Sequence, residues 1–82
     1  MKIDVKFSSS ELADKLRSGV YDVPDNYTVA DLMDTASREA GVEISDELKD
    51  NLVFLYDNRH AAWDTELSGG GKLRVLHKVL GG

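Results

Sequence analysis

The sequence predicts a single small domain of the α+β class, and three features of the chain indicate this class. Residues 2–7 and 73–80 alternate between apolar and polar side chains, which is typical of half-buried strands. After Thr28, apolar residues recur at helical spacing. An unbroken apolar run at 52–56 is typical of a strand inside a sheet. With 82 residues, the chain is expected to bury one modest core and form one domain.

The N-terminal part is predicted to form a strand, a short helix and a second strand. In the first strand, residues 2–7, apolar side chains face one side and charged side chains face the other. Serine hydroxyls at 8–10 can cap a short helix over residues 11–17, and Gly19 suits its C-terminal end. Residues 20–23 form the second strand, which ends at a proline-containing turn.

The main helix is predicted to begin after Thr28, whose hydroxyl can cap the first turn together with Asp31 three residues later. Gly41 is the residue expected to end this helix. One apolar stripe runs along the helix and comprises Val29, Leu32, Met33, Ala36 and Ala40. A second short helix is expected over residues 46–50, with Ser45 as its N-cap.

The C-terminal part is predicted to contain three strands. The apolar run at 52–56 is either covered on both faces or lies in the middle of the sheet. Turn-forming residues at 57–60 precede a short return strand over 61–63, so these segments are expected to form a hairpin. A flexible glycine-rich turn at 68–71 then leads into the final strand at 73–80.

Composition argues against several classes of function. The formal charge is −5, and residues 31–50 contain seven acidic side chains against two basic ones. This balance argues against nucleic-acid binding, since contacts to phosphates need a positive surface. No apolar run approaches the roughly 18 residues of a membrane span. The chain contains no cysteine, so disulfide and thiol chemistry are absent. A cytoplasmic location is expected from these absences.

The sequence pattern contains no convincing site for catalysis, a cofactor or a metal. The glycines at 69–71 do not match the phosphate-binding loop signature and are interpreted as a turn. His60 and His77 are seventeen residues apart, without cysteine or paired carboxylates at ligand spacing, so we expect no metal site. No nucleophile or acid–base constellation stands out. We therefore expect a non-enzymatic protein without a bound cofactor.

The sequence ends with Gly81 and Gly82, directly after the last predicted strand. Glycine buries no side chain and is costly to order, so its advantage at this position is thinness. A Gly-Gly segment with a free carboxylate can enter a channel too narrow for a side chain, which makes the Gly82 carboxylate the candidate reactive group. Val79 and Leu80 carry this tail away from the sheet. A frayed end without function is the alternative.

The last strand also presents candidate partner-binding residues. If the alternation holds, Arg74, Leu76 and Lys78 face away from the core, and His77 shares the opposite side with the core residues. Lys72, Arg74 and Lys78 then form a basic stem below the tail, which suits docking on an acidic partner.

These residues together resemble a known family, the ubiquitin-like sulfur carriers. This family includes the small subunit of molybdopterin synthase and the thiamin sulfur carrier. The resemblance covers nearly the whole chain. It rests on the alternating N-terminal strand, the capped helix after Tyr27-Thr28-Val29-Ala30-Asp31-Leu32, the run Leu55-Tyr56-Asp57-Asn58-Arg59, Trp63, and the glycine-rich turn and strand that lead into Val79-Leu80-Gly81-Gly82.

The resemblance implies a β-grasp fold, in which a mixed sheet packs on one main helix with short extra helices. It implies one domain over residues 1–82 with a flexible C-terminal Gly-Gly tail. It also implies that an E1-like adenylating enzyme uses ATP to activate the Gly82 carboxylate, and that sulfur then replaces the adenylate. The resulting thiocarboxylate would donate sulfur in cofactor biosynthesis, with chain length favouring the molybdopterin type. The large subunit of a synthase is a further implied partner.

Two other functions remain open at the level of sequence. In the first, the chain is a ubiquitin-like protein modifier, and the Gly82 carboxylate is joined to lysines of other proteins. In the second, the chain is a non-reactive interaction domain, and the acidic helical region at 31–50 is its docking face.

Overall fold

In a computed structural model, which describes residues 1–78, the chain forms a mixed five-stranded sheet packed against one main helix. Within this range, five strands and three helices follow one another. In chain order they are β1 (Lys2–Phe7), α1 (Ser10–Ala13), β2 (Gly19–Asp22), α2 (Val29–Ala40), α3 (Asp46–Lys49), β3 (Leu52–Tyr56), β4 (Arg59–Ala61) and β5 (Gly71–His77).

The strand order in the sheet is β2-β1-β5-β3-β4. β1 and β5 run parallel, whereas the other three pairs of neighbouring strands are antiparallel. The parallel pair joins the first strand to the last, so the sheet is complete only when β5 has been inserted between β1 and β3. This order, with the main helix against one face, is the β-grasp arrangement and confirms the predicted fold class.

Alternation within the strands separates the two faces of the sheet. β1 buries Ile3, Val5 and Phe7 and exposes the charged residues between them. β5 buries Leu73 and Val75 in the same way. These side chains share one core with the buried side of α2. Burial of each such side chain contributes roughly 1.5–3 kcal/mol. The opposite surface of the sheet, which points away from α2, is the open face.

α2 begins and ends as the sequence predicts. Thr28 Oγ1 accepts a hydrogen bond from the Asp31 N–H at 3.2 Å, and the Asp31 carboxylate accepts one from the Thr28 N–H at 3.0 Å. This capping box satisfies two backbone donors. At the other end, Gly41 has a φ of 68°, and its N–H and that of Val42 bond back to the last turn in a Schellman motif. Ala40, predicted on the apolar stripe, is exposed because the buried stripe ends one turn earlier.

α1 is shorter than the sequence predicts. The helix covers Ser10–Ala13 rather than residues 11–17. A hydrogen bond from the Leu16 N–H to the Leu12 carbonyl oxygen adds one turn of chain, and both leucines are buried. The helix ends early because the chain must turn to place Gly19 beside β1. Gly19 is therefore the first residue of β2, since strand pairing outweighs local helix propensity here.

The β3–β4 hairpin is tighter than predicted. Its turn consists of Asp57 and Asn58, with φ of 49° and 67°, a combination typical of two-residue type I′ turns. β4 therefore begins at Arg59, and His60, predicted as a turn residue, pairs with β3. The predicted return strand at 61–63 is wrong by two residues, because this two-residue turn already reverses the chain.

The glycine-rich turn before β5 is held by specific contacts. Gly70 has a φ of 86° and lies so close to β1 that a Cβ would be 2.8 Å from the Lys2 carbonyl oxygen. Asp57 Oδ1 accepts a hydrogen bond from the Lys72 N–H at 2.9 Å, and the Asp57 N–H donates to the Lys72 carbonyl oxygen at 2.9 Å. Gly71 already belongs to β5, so the turn ends one residue earlier than predicted. These contacts align β5 with both of its neighbours.

Candidate docking face and C-terminal strand

β5, the strand that leads towards the tail, occupies the middle of the sheet between β1 and β3. Directly after it, the Lys78 N–H donates a hydrogen bond to the Asn51 carbonyl oxygen at 2.7 Å. The chain is therefore anchored up to the last described residue. The predicted reactive tail lies outside the described residues and comprises Val79, Leu80, Gly81 and Gly82. The site within the described range is thus the surface around β5.

An apolar patch lies on the open face beside β5. Arg74 is exposed and Leu76 is half-exposed, and both point away from the core as the alternation predicts. Leu76 lies opposite Val53 of β3, and Arg74 lies opposite Leu55. Val53 and Leu55 are also only partly buried. Directly opposite residues in paired antiparallel strands share a face. Val53, Leu55 and Leu76 therefore form one apolar surface, the open-face patch.

Basic side chains border the open-face patch. Lys6 of β1 is the register partner of Arg74, and Lys72 is the register partner of Asp4. All three basic residues are exposed. Among residues 1–78, no ion pair involves Lys6, Lys72 or Arg74. An apolar patch beside unpaired cations suits a partner surface that is apolar and acidic, because complementary charge speeds association and disfavours wrong partners.

The end of β5 is exposed as well. Lys78, the third predicted docking residue, is exposed, so the basic stem is accessible along its length. His77 lies opposite the buried Leu52 in the register, yet its side chain is exposed because the strand ends there. Its Nδ1 is 3.0 Å from the Lys78 carbonyl oxygen.

Residues 1–78 contain neither a cluster of metal ligands nor a helix long and apolar enough to span a membrane. Between residues 1 and 78, His, Cys, Asp and Glu side chains do not come together in any group of three or more that could hold a metal ion. None of the helices in that range has the length and apolar character needed to cross a membrane.

Two tyrosines with shifted pKa values, Tyr21 and Tyr56, form hydrogen bonds between strands and the segments that precede β2 and β5. Burial raises the pKa of Tyr56, and the neighbouring Asp57 carboxylate raises it further. The Tyr56 hydroxyl donates to backbone carbonyls of the glycine-rich turn. Burial also raises the pKa of Tyr21, although the positive charge of Arg17, 4.0 Å above the ring centre, opposes this. Tyr56 therefore bonds to the glycine-rich turn that precedes β5. In the same way, the Tyr21 hydroxyl donates to the Arg17 carbonyl oxygen in the segment that precedes β2.

The alternation within β5 identifies Arg74 and Leu76, but it does not identify Val53, Leu55 and Lys6 as their neighbours. β3 is apolar throughout, so its sequence does not distinguish its two faces. Neighbours across a sheet depend on the register, which a single strand does not reveal. One signal was present in β1, where Lys6 alternates with buried residues and must therefore face the open side.

Several solved structures match this chain. SAMP1 from Haloferax volcanii is 21% identical, with a TM-score of 0.72 and coverage of 100% of both chains. A putative molybdopterin converting factor, subunit 1, from Pyrococcus furiosus is 18% identical, with a TM-score of 0.71, covering 96% of this chain and 99% of that chain. A structure of H. volcanii small archaeal modifier protein 1 is 22% identical, with a TM-score of 0.77, and the match covers 95% of this chain and 98% of that chain.

These structures extend over nearly the whole of both chains in each comparison, so the likeness concerns the entire fold. They confirm the β-grasp architecture that the sequence resemblance implies. No protein-family model and no curated protein matches the chain.

Proposed function

We propose that this chain is a ubiquitin-like sulfur carrier of the molybdopterin type. An E1-like enzyme uses ATP to convert the Gly82 carboxylate into an acyl-adenylate, and sulfur then replaces the adenylate. The resulting thiocarboxylate donates sulfur in cofactor biosynthesis in the cytoplasm. The chain supplies the reacting carboxylate and a docking surface, while its partners bind ATP and supply catalysis.

The observation that carries this proposal is the position of the open-face patch on the strand that leads to Gly82. Six peptide steps separate Leu76 from Gly82, and a fully extended chain of that length spans at most about 22 Å. A partner docked on Leu76 can therefore hold its catalytic site within this distance. The fold likeness to a putative molybdopterin converting factor subunit supports the choice of the molybdopterin branch.

The proposed chemistry requires no side chain near the reacting carbon. A Gly82 carboxylate oxygen attacks the α-phosphorus of ATP, and pyrophosphate leaves. A hydrosulfide ion then attacks the acyl carbon, AMP leaves with the bond electrons, and the thiocarboxylate remains. Because both steps occur inside the partner, Gly81 contributes by being thin. The absence of cysteine suits this scheme, since the sulfur is carried on the backbone end.

A second partner follows from the same geometry. We propose that the large subunit of a synthase docks on the open-face patch after sulfur transfer. It must reach Gly82 from the same strand, so Arg74, Leu76 and Lys78 contact both partners in turn. The exposed cations of the stem favour partner surfaces that carry acidic side chains.

Protein modification is a second candidate function. The observation that favours it is the likeness to the two H. volcanii structures, at 21% and 22% identity, one of which is described as a small archaeal modifier protein. Activation of Gly82 is common to both functions, and only the acceptor differs. In this case a lysine amine of another protein, rather than hydrosulfide, attacks the activated carbonyl carbon; AMP leaves with the bond electrons, and the amine loses a proton to give an amide.

The test uses the full chain with ATP, sulfide and the E1-like enzyme encoded in its own genome. Intact-mass measurement first establishes that Gly82 carries a free carboxylate. After incubation, we expect an adenylate and then an oxygen-to-sulfur exchange on the C-terminal peptide, both dependent on ATP. One residue appended after Gly82 should abolish the modification without changing the far-UV circular dichroism. Absence of any modification at Gly82 would contradict the proposal.

A matched pair of variants tests the docking surface. Leu76→Ser removes an apolar contact from the open-face patch. Val20→Ser removes a 54% exposed apolar side chain from β2, on the same face but separated from β5 by β1. We expect Leu76→Ser to slow activation about tenfold, as loss of a central interface contact does, and Val20→Ser to have little effect. Equal slowing by both variants would show that the patch is not the docking site.

The acceptor is identified in cells. Mass spectrometry of the proteome distinguishes a thiocarboxylate on the free chain from Gly-Gly remnants on lysines of other proteins. Lysine remnants that disappear when Gly82 is deleted would support the modifier function, whereas a thiocarboxylate without remnants would support the sulfur carrier.

A further inference from the structure

A groove on the helical side of the molecule lies away from the open face. It has a volume of about 630 Å³ and runs between α2 and the segment that follows it. This volume falls within the range of about 300–1,000 Å³ that is typical of ligand pockets. Its apolar lining consists of the nearly buried Met33 and Ile44, which we call the floor, and of Ala30, Val42 and Trp63.

The walls of the groove offer apolar contact. Met33 and Ile44 are nearly covered, at 2% and 8% exposure, whereas Val42 and Trp63 are half-exposed and accessible from the groove. Trp63 packs edge-on against Phe54, with ring centroids 4.8 Å apart, so one side of its ring is held by the core. The groove therefore has a rigid aromatic side and an aliphatic floor.

The rim of the groove is acidic. Its charged residues include Asp34, Arg38, Glu43, Asp46 and Lys49. Arg38 lies 3.1 Å from Asp34 and offsets its charge. Within residues 1–78, no ion pair involves Glu43 or Asp46. Lys49 is likewise in no ion pair in that range, so an occupant must match apolar walls, two unpaired carboxylates and one unpaired ammonium group.

The segment that contains α2 and α3 carries a negative net charge, as the groove rim does. Residues 31–50 contain seven acidic and two basic side chains, a net charge of −5, which equals the net charge of the whole chain. The rest of the chain balances eight acidic residues with eight basic ones. The excess negative charge therefore lies in the segment that contains α2 and α3, three of whose carboxylates line the groove, whereas the cations Lys6, Lys72 and Arg74 lie on the open face.

We propose that this groove binds a basic, amphipathic peptide segment of a partner protein. Apolar side chains of the segment enter between Val42 and Trp63, and lysine or arginine side chains beside them meet Glu43 and Asp46. Insertion of an amphipathic segment into an apolar groove with complementary charge at its rim is a recurring mode of peptide recognition. The site requires neither Gly82 nor the open face, so the chain can hold this partner while its tail reacts elsewhere.

The test uses the full chain labelled with ¹⁵N and a short synthetic peptide in which lysine and leucine alternate. A peptide of lysine and serine with the same charge is the first control. We expect the lysine–leucine peptide to shift the amide signals of Ala30, Ser37, Gly41 and Glu43, with those of Lys6 and Arg74 unchanged. The lysine–serine peptide should bind more weakly. Equal binding by both peptides, or shifts on the open face alone, would overturn the proposal.

A matched pair of double variants tests the rim. Glu43→Gln with Asp46→Asn removes two carboxylates at the groove. Glu47→Gln with Asp50→Asn removes the same charge from exposed residues of the same region that do not line the groove. We expect the first variant to weaken peptide binding at least about threefold more than the second, because near charges outweigh distant, screened ones. Equal weakening by the two double variants would show that the peptide is attracted only by the overall negative charge of the protein, and it would overturn the proposal.

Two further measurements complete the test. Deletion of Gly82 should leave peptide binding unchanged, so the groove and the proposed carrier function fail or succeed independently. Amide shifts that appear on increasing the protein concentration without peptide, at both the groove and the open face, would identify a second copy of the chain as the occupant. That result would also overturn the proposal.

Discussion

Gly70 and Gly71 show, at the scale of single residues, how the chain positions the strand that leads to Gly82. Both have positive φ, and both lie where a side chain would meet neighbouring atoms. At Gly70 the neighbour is the Lys2 carbonyl oxygen of β1, and at Gly71 it is the Asp57 carboxylate. The close approach lets Asp57 bond to the backbone of β5. Glycine at these positions is therefore required for the register of β5.

Gly70→Ala should destabilise the fold by roughly 2–4 kcal/mol, because a Cβ adds both positive-φ strain and a clash with backbone. Gly69→Ala is the matched control, since Gly69 has a φ of 77° but nothing within 4 Å of an added Cβ. Its cost should be roughly 1–2 kcal/mol, from strain alone. Urea denaturation measures both free energies of unfolding. Equal losses would show that contact with Lys2 does not matter.

Tyr56→Phe should lower the free energy of unfolding by about 0.5–1.5 kcal/mol at neutral pH, through loss of the hydrogen bonds to the glycine-rich turn. The pKa of Tyr56 is raised in the folded state, so the fold favours the neutral phenol. That preference is fully present below the ordinary tyrosine pKa of about 10. It is lost as the pH rises through the higher pKa of the folded state.

The wild-type protein should therefore lose stability above about pH 10, and Tyr56→Phe should lose less over the same range. Denaturation at a series of alkaline pH values checks this difference. Parallel curves for the two proteins would contradict the assigned role of Tyr56.

At the scale of elements, α2 is the part of the chain whose limits depend most on its own local sequence. Its capping box, Schellman motif and apolar stripe all lie within the helix or directly beside it. Thr28→Ala removes the side-chain cap and should cost about 1 kcal/mol. Thr28→Ser keeps a hydroxyl and should retain most of the stability. Urea denaturation measures the stability of both variants, as a shift of the midpoint while the dependence of the unfolding free energy on urea stays unchanged. An unaltered midpoint for Thr28→Ala would contradict the capping role.

Elements that depend on distant partners were harder to predict. α2 and β3 have the predicted limits, or nearly so, because their signals are local caps and continuous apolar patterns. α1 and β4 differ from prediction because their limits are set by pairing. α1 ends early because the chain must turn before β2 begins beside β1 at Gly19, and β4 begins where a two-residue turn has already reversed the chain. Val53 and Leu55 were absent from the predicted docking site for the same reason, because their position beside β5 depends on strand pairing.

At the scale of the whole molecule, the parallel pairing of β1 with β5 couples the two ends of the described chain. Such long-range pairing forms only after a costly loop closure, so β5 should open only when the whole fold opens. α3, by contrast, has no fully buried side chain, and only Leu48 packs partly against the core. We expect the amides of Leu73 and Val75 to exchange hydrogen with the free energy of global unfolding, and that of Lys49 to exchange through local opening.

Native-state hydrogen exchange monitored by NMR measures these opening free energies residue by residue. Comparable protection of Lys49 and Val75 would show that α3 is part of the same cooperative unit and would contradict this expectation.

The whole molecule also has two surfaces of different character. The open face combines an apolar patch with exposed cations, and the helical side combines an apolar groove with three acidic residues at its rim. Because β5 and α2 lie on opposite sides of one core, the two surfaces are separated by the body of the sheet. Under the two proposals above, the chain would present Gly82 to one partner and the groove to another.

Local sequence patterns are sufficient to predict the α+β class, the first and last strands, the limits of α2 and the outward direction of Arg74 and Leu76. Periodicity and capping arise between residues a few positions apart, so the local chain is sufficient for them. The folded chain is needed to reveal that Lys6, Leu55 and Arg74 are neighbours and that Met33, Val42 and Trp63 line one groove. These contacts join segments far apart in the chain, and the strand register and packing that create them depend on the whole fold.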